Sequence, residues 1–538
     1  MHTEIGSCGR RPADVSVLLP VRDAMPELSR CLKSLGRQTL APERMEVIVM
    51  DDASTDGTAE EADAFAAGAR CPVVVVRREA PAPTPGIAGN QALDRATGRY
   101  VLFVGSTDQL ADEALERMLA AADRDSGDVV VGKVAGAGLR GFEKQAFKAK
   151  PGEEGPRAQA LRHLGVTKLF RRELLTRHEI RFDASLCSGE DIVFVAQAVS
   201  SAAQVSFVSD YVCCRLGQPR ALEDGVVPRA SDCAERSLPF FRAAAAVTKR
   251  AGTPAEADRM LSVLIGHHIE EMLAVVDAAA SFCERQCAVL EMQRMRQAYW
   301  SNGVGRRVGL YPGLCSFAAD RGLFDEVSYL AVNRRFSHRA RTVVEGSRVY
   351  RAFPFFRAHR GPGNPLPDHV FDATDRLRAR AELLQAVLSG PKKAVLSGFG
   401  YVGSLDSSKC TVTLHLRRRG GEGAVVLPVD TTPTPFLTHE RGDGAHDYDD
   451  AGWRTVLDFE QTDWSRKKPG PWDFWVVVAA DGMAKEARLK APTGAGKALD
   501  NGLFTGNGST RVRIYRTPGG YLACEISTDT DPHDGEPR

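Results

Sequence analysis

Residues 45–58, MEVIVMDDASTDGT, limit the fold more than any other part of this chain. Four apolar residues, Val47 to Met50, run into two carboxylates, Asp51 and Asp52, and then into a polar turn through Gly57. A continuous apolar run of this length is the pattern of a strand buried on both faces of a parallel sheet. In open α/β sheets, ligands bind beyond the carboxyl ends of such strands, so paired acids there mark a candidate site. The same residues suit a plainer role, in which Asp52 and Ser54 cap a helix that begins near Thr55.

The first third of the chain repeats this alternation. Residues 15–19 read as a strand ended by Pro20, and Leu28, Cys31, Leu32 and Leu35 recur at helical spacing. Residues 73–76 and 100–104 are further apolar strands, with helices predicted over 60–68 and 88–96. Strands alternating with helices predict βαβ units and a mostly parallel sheet, hence a nucleotide-binding-like α/β domain. A strand at 128–133, a helix at 192–200 opening after Glu190 and Asp191, and a strand at 203–214 continue it.

From 232 to 299 the period is near 3.6, and the Ala and Met residues there read as core. Residues 333–360 interleave Arg334, Arg335, Arg339, Arg341, Arg348, Arg351, Arg357 and Arg360 with five aromatic rings. Such a strip is either an amphipathic segment with snorkelling arginines or a dock for a phosphate polymer or an anionic membrane face. GPGNPLP (361–367) is linker-like, and from Ala394 onward the period changes to two, as in an all-β, sandwich-like region. The tail after Thr528 is polar and expected to fray. The expected domains are 1–225 (α/β), 226–365 (a helical connector carrying the strip) and 366–538 (C-terminal β).

A chain of 538 residues exceeds one core. Its net charge of +1 excludes a global polyanion or membrane signal. No run of about eighteen apolar residues and no apolar leader is evident. The 12 cysteines show no repeating spacing and read as reduced thiols, so a cytoplasmic protein is expected. Cys283 and Cys287, with His267 and His268 upstream, match no standard zinc spacing and read as packing.

Four segments in order, VSVLLPVRD (15–23), DDASTDGT (51–58), ATGRYVLFVGSTDQL (96–110) and GEDIVF (189–194), resemble the family 2 glycosyltransferases, which have the GT-A (nucleotide-diphospho-sugar transferase) fold. With KLFRRELLTRHEIRF (168–182), a helical segment and C-terminal β domains, the chain also resembles the enzymes that glycosylate teichoic-acid-type polyol-phosphate polymers. The resemblance implies an inverting transfer of a sugar, N-acetylglucosamine from UDP, to a polymer hydroxyl. It implies that Pro20, Asp51 and Asp52 border the uracil, with Asp52 accepting its N3–H. Asn90 and Ser106 would line the donor, Asp191 would be the general base, and Glu190 would position it or the acceptor. Without the resemblance, Glu190 and Asp191 read as a first-turn acidic pair complementing the helix dipole.

The resemblance also implies Mn²⁺ or Mg²⁺ held by an Asp-x-Asp run, but here those positions read Gly105, Ser106, Thr107 and Asp108. The family's arginine before Asn90 is Gly89. Three alternatives are open: Asp108 binds a metal, basic groups such as Lys168 or Arg215 replace it, or turnover is lost while the fold is kept. Lys168, Arg215, Arg334, Arg335 and Arg339 are the cations expected to meet an anionic glycopolymer. Contact with the inner face of the membrane, and a homo-oligomer through the C-terminal β region, are further implications. No nucleic-acid-binding module is recognised, so no nucleic-acid partner is expected. The alternatives are a silent GT-A-fold binding protein and a glycosyltransferase for another envelope polysaccharide.

Overall fold

The computed structural model describes residues 13–136, 143–147, 155–217, 233–357, 365–390, 392–420, 423–441, 445–458, 469–480, 483–495, 499, 502–507 and 510–528. Arg360, most of the GPGNPLP stretch and the tail after Thr528 lie outside the described residues. The chain divides into two units, residues 1–331 and 332–538.

In the first unit the apolar runs form strands β1 (Val15–Val21), β2 (Met45–Asp51), β3 (Val73–Arg77) and β4 (Tyr100–Phe103). Helices α1 (Glu27–Gly36), α2 (Thr58–Gly68) and α3 (Pro85–Arg95) connect them. β1 lies between β2 and β4, all parallel, and β3 pairs outside β2. Val17, Leu18, Val47, Val49, Val101 and Leu102 are buried, which is why these strands carry no polar alternation.

Beyond β4 the sheet becomes mixed. The chain adds β5 (Gln109–Leu110), α4 (Ala114–Asp125), β6 (Val129–Ala135) and α5 (Gly155–Ala160). It continues through β7 (Leu169–Arg171), α6 (Arg172–Arg177), α7 (Glu190–Ser201) and β8 (Val205–Arg215). The strand order is β3-β2-β1-β4-β7-β6-β8-β5, with β7 antiparallel to both β4 and β6. This closure sets Gln109, just after β4, opposite Arg215 at the end of β8.

Helices α8 (Cys233–Arg250), α9 (Pro254–Ala278), α10 (Phe282–Tyr299), α11 (Asn302–Arg307), α12 (Leu310–Asp320) and α13 (Phe324–Asn333) follow. Ser281 and Glu284 form a capping box at the start of α10. Met260, Met272, Met292 and Met295 are buried, as core residues. His268 bonds Ser237 at 2.6 Å, His267 faces the Leu161 carbonyl at 3.2 Å, and Cys283 is exposed. Those side chains do not converge, and among the described residues no group of three or more acids, His or Cys could hold a metal. The eleven described cysteines are free thiols.

The second unit opens differently from the expected helical connector. The α-helical run ends at Asn333, a 3-10 helix (Arg334–Arg339) follows, and strands β9 (Thr342–Glu345) and β10 (Arg348–Arg351) form an antiparallel hairpin turning at Gly346, φ +56°. Val343, Val344, Val349 and Tyr350 favour extended backbone, which overrides the helical continuation.

Next come β11 (Ala379–Leu388), β12 (Lys393–Val402), β13 (Thr411–Arg418), β14 (Ala424–Leu427) and β15 (Asp430–Thr432). They are followed by β16 (Gly452–Asp458), β17 (Gly470–Ala480) and β18 (Met483–Arg488). The last are β19 (Leu503–Asn507), β20 (Thr510–Arg516) and β21 (Leu522–Thr528). One sheet runs β11-β12-β16-β15 and the other β14-β13-β17-β21-β20-β19, with β18 beside β17. Leu383, Leu396 and Trp453 of the first share one core with Leu414, Phe474, Val476 and Ile514 of the second, as in a sandwich.

Candidate active site

The loops after β1 and β2 are tied together by their own polar side chains. Ser54 Oγ accepts the Asp23 N–H at 2.9 Å, and Asp23 Oδ1 accepts the Thr55 N–H at 2.8 Å. Asp56 accepts the Met25 N–H at 2.9 Å, while Thr58 Oγ1 accepts that of Ala24 at 2.7 Å. Pro20 is paired in register with Met50, and the Asp52 N–H reaches the Val21 carbonyl at 2.8 Å. Pro20, Asp51 and Asp52 therefore share one edge of the sheet.

Asp51 is buried and accepts the Ser54 N–H at 3.3 Å. Asp52 Oδ1 receives the Ala82 N–H and the Arg78 guanidinium, both at 2.8 Å. Among the described residues no hydrogen bond reaches Asp52 Oδ2, which leaves one carboxylate oxygen open in a wall that is otherwise hydrogen-bonded. Arg78 itself was not legible as a site residue. Its only signal was its place just beyond β3, whose last residue, Arg77, is in register with Asp51.

Ser106 is half-buried in the loop after β4. Asp108 turns away from the role of a cation ligand. Its Oδ2 accepts the Gly105 N–H at 3.3 Å and its Oδ1 accepts the Gly217 N–H at 3.0 Å. Burial raises its pKa, against those two hydrogen bonds. One carboxylate already engaged on both oxygens, beside Gly105, Ser106 and Thr107, does not fit a divalent cation held by the protein. Arg215 stands opposite Gln109 on the far side of this loop, is exposed, and has no side-chain partner among the described residues.

Glu190 and Asp191 open α7. Gly189 precedes them at φ +73°, and a Cβ there would lie 2.7 Å from Pro239 Cγ, so only glycine fits this entry into the helix. Asp191 accepts the N–H of Ile192 at 2.8 Å. Burial raises its pKa, opposed by that bond and by the charge of Lys168. Burial and the neighbouring Asp191 charge push Glu190 up to about 7. An acidic pair of this kind holds a proton loosely at neutral pH, as general-base chemistry requires.

The loop before α7 is held from two sides. Asn90 Nδ2 donates to the Phe182 carbonyl and its Oδ1 accepts the Phe182 N–H, both at 2.9 Å. Asp183, the next residue, pairs with Arg242 of α8. Asn90 thus positions the loop through both ends of its side-chain amide. Phe182 stacks on Phe194 of α7 at 4.4 Å and meets Phe103 of β4 edge-on at 5.0 Å. This ring also accounts for Gly89, because a Cβ there would lie 2.9 Å from Phe182 Cδ2. Gly89→Ala should destabilise the protein by about 1–3 kcal/mol through overpacking, measured as a lower denaturant midpoint.

Lys168 needs a correction. It was expected to meet a polymer, yet it is fully buried, with Nζ donating to the carbonyls of His163 at 2.7 Å and Gly165 at 2.6 Å. Burial lowers its pKa to about 7, opposed by the charge of Asp191. It acts on Asp191 through the interior and offers nothing to a solvent-borne anion.

The family model for glycosyl transferase family 2 matches residues 16–186, the span that carries β1, β2, β4 and the loop before α7. Over residues 16–186 the chain is similar to the family 2 glycosyltransferases. A poly(ribitol-phosphate) β-glucosyltransferase of Bacillus spizizenii is 33% identical over 198 residues, 37% of this chain and 31% of that relative. The poly(ribitol-phosphate) β-N-acetylglucosaminyltransferase TarS of Staphylococcus aureus is 32% identical over 200 residues, 36% of this chain and 34% of TarS. These alignments span about a third of each relative's length. The crystal structure of S. aureus TarS aligns with a TM-score of 0.55 at 19% identity, over 96% of this chain and 85% of that one, a likeness of fold. Among the described residues no helix is long and apolar enough to cross a membrane.

In the second unit the arginine strip is largely internally paired. Arg348 bonds Asp372 at 2.6 Å, Arg357 pairs with Glu345 and Asp368, and Arg351 donates to the His338 carbonyl at 3.1 Å. Arg334, Arg335 and Arg339 lie in a short 3-10 helix (Arg334–Arg339), where Arg339 sits over the exposed Phe336 ring. Arg335 and Arg339 are exposed, so they remain open to an anion.

Proposed function

We propose that the protein is an inverting glycosyltransferase that moves a sugar from a UDP donor to a hydroxyl of a polyol-phosphate polymer, in the cytoplasm. The observation that carries this reading is the pair of acidic sites on one fold: Asp52 with an open carboxylate oxygen, and Asp191 beside a neighbour whose pKa is raised to about 7. The uracil N3–H would be donated to Asp52 Oδ2. Asp191 would take the proton of the acceptor hydroxyl as that oxygen attacks the anomeric carbon. The bond to the diphosphate breaks on the opposite face, so UDP leaves and the configuration inverts. Arg215 is the exposed cation suited to the charge that develops on the leaving diphosphate.

The names of the relatives support poly(ribitol phosphate) as the acceptor class and divide between N-acetylglucosamine and glucose as the sugar. We favour N-acetylglucosamine, with glucose as the second donor to assay. A silent fold that still binds nucleotide is the competing reading, favoured by the engaged carboxylate of Asp108.

The raised pKa of Glu190 predicts a pH dependence. As pH falls through about 7, the pair gains its first proton, the negative charge beside Asp191 is lost, and Asp191 becomes a weaker base. Turnover should therefore fall toward acid. In Glu190→Gln that step is absent, so the acid limb of kcat/KM should move to lower pH. An unchanged limb would remove Glu190 from the titrating pair.

A further inference from the structure

The second unit holds a cavity of about 470 Å³, lined by none of the residues assigned above to the transfer. Its volume lies within the range of small-molecule sites, roughly 300–1,000 Å³. Arg341, Thr342, Lys409 and His446 supply its polar wall, and Val344, Leu405 and Ala480 its apolar one.

The charges are unevenly satisfied. Arg341 is exposed, and its guanidinium makes no hydrogen bond or ion pair among the described residues. Lys409 pairs with Asp406 only at 3.7 Å, and its side chain is 72% exposed. Asp406 is already engaged elsewhere, since its Oδ1 accepts the Asp447 N–H at 3.0 Å. Two cations facing one carboxylate leave a net charge near +1. His446 Nε2 lies 2.9 Å from Thr342 Oγ1, placing a buried ring and a hydroxyl where they can exchange hydrogen bonds with a polyol.

We propose that this cavity binds a phosphodiester-linked polyol unit, with the phosphate on Arg341 and Lys409 and the polyol hydroxyls on Thr342, His446 and Asp406. A diester carries one negative charge, which the site can neutralise; a monoester or a nucleoside diphosphate carries more. The choice of ligand class rests on the acceptor class proposed above. The site would hold a stretch of the acceptor chain on the C-terminal unit.

The test uses the full chain and glycerophosphoglycerol, two glycerols bridged by one phosphodiester, titrated by calorimetry. Glycerol and inorganic phosphate serve as separate arms. The diester should bind more tightly than either. Arg341→Gln and Lys409→Gln should each weaken it about tenfold, the loss of one charge-assisted contact. Both side chains are solvent-facing, and an unchanged thermal midpoint would show that each variant folds.

Cys410 lines the cavity and gives a local readout. Bound diester should slow its alkylation by iodoacetamide, while the exposed Cys187 and Cys283 react as before. The proposal is overturned if inorganic phosphate or glycerol binds as tightly as the diester, or if both variants bind like the wild type. It is also overturned if Cys410 stays unprotected. Diester binding at Cys410 without any UDP release from UDP-sugars would keep this site and sink the transferase reading. UDP release without diester binding would do the reverse.

Discussion

Asp191→Asn should lower sugar transfer by at least about 100-fold, the usual contribution of a positioned general base, and leave UDP affinity nearly unchanged. The amide keeps the shape of the carboxylate but cannot take the acceptor's proton. The Ile192 N–H that now bonds Asp191 Oδ1 can still find an oxygen at residue 191, so the start of α7 should hold. Steady-state assays of transfer and calorimetric titration of UDP separate the two effects. Transfer within about twofold of wild type, far less than loss of a base would cost, would remove Asp191 from the role. Lys168 offers a related check, since its buried charge favours the ionised form of Asp191. In Lys168→Met the acid limb of turnover should move to higher pH, because the carboxylate loses that support.

Asp52→Ala should weaken UDP binding by about 2 kcal/mol, roughly thirtyfold, as expected for a lost hydrogen bond to a charged group. It also strips Arg78 of a partly buried partner, so some loss of stability accompanies it. Selectivity distinguishes the two consequences. Uracil offers an N3–H where cytosine offers an acceptor, so a carboxylate facing that edge favours UDP over CDP. In Asp52→Ala that preference should collapse, whereas Arg78→Gln should share the stability loss and keep it. Equal binding of UDP and CDP by the wild type would show that Asp52 does not read the base.

The architecture was legible where burial leaves a repeating mark. Apolar runs at β1, β2 and β4 announced strands covered on both faces, and period-two segments from β12 onward announced the sandwich. What escaped were side chains whose partners lie far away in sequence. Asn90 bonds Phe182 across 92 residues, and Asp108 bonds Gly217 across 109. Nothing near either residue signals that its polar groups are already engaged. Lys168 misled for another reason: a lysine at the edge of LFRR reads as an exposed cation, yet two nearby carbonyls draw it inside. The glycine that replaces the family's arginine before Asn90 has a packing cause in the Phe182 ring, which no local pattern signals. The hairpin at 342–351 was hidden within a stretch whose arginines invited a helical, amphipathic reading.

The central claim is that this fold turns over a UDP-sugar against a polyol-phosphate acceptor. The most direct test mixes the full chain with UDP-N-acetylglucosamine or UDP-glucose, with and without poly(ribitol phosphate), in the presence of Mn²⁺, and measures released UDP. The account predicts UDP release that depends on the polymer and disappears in Asp191→Asn. No release above the protein-free rate with either donor, with UDP still bound, would contradict it and leave a nucleotide-binding protein without transfer.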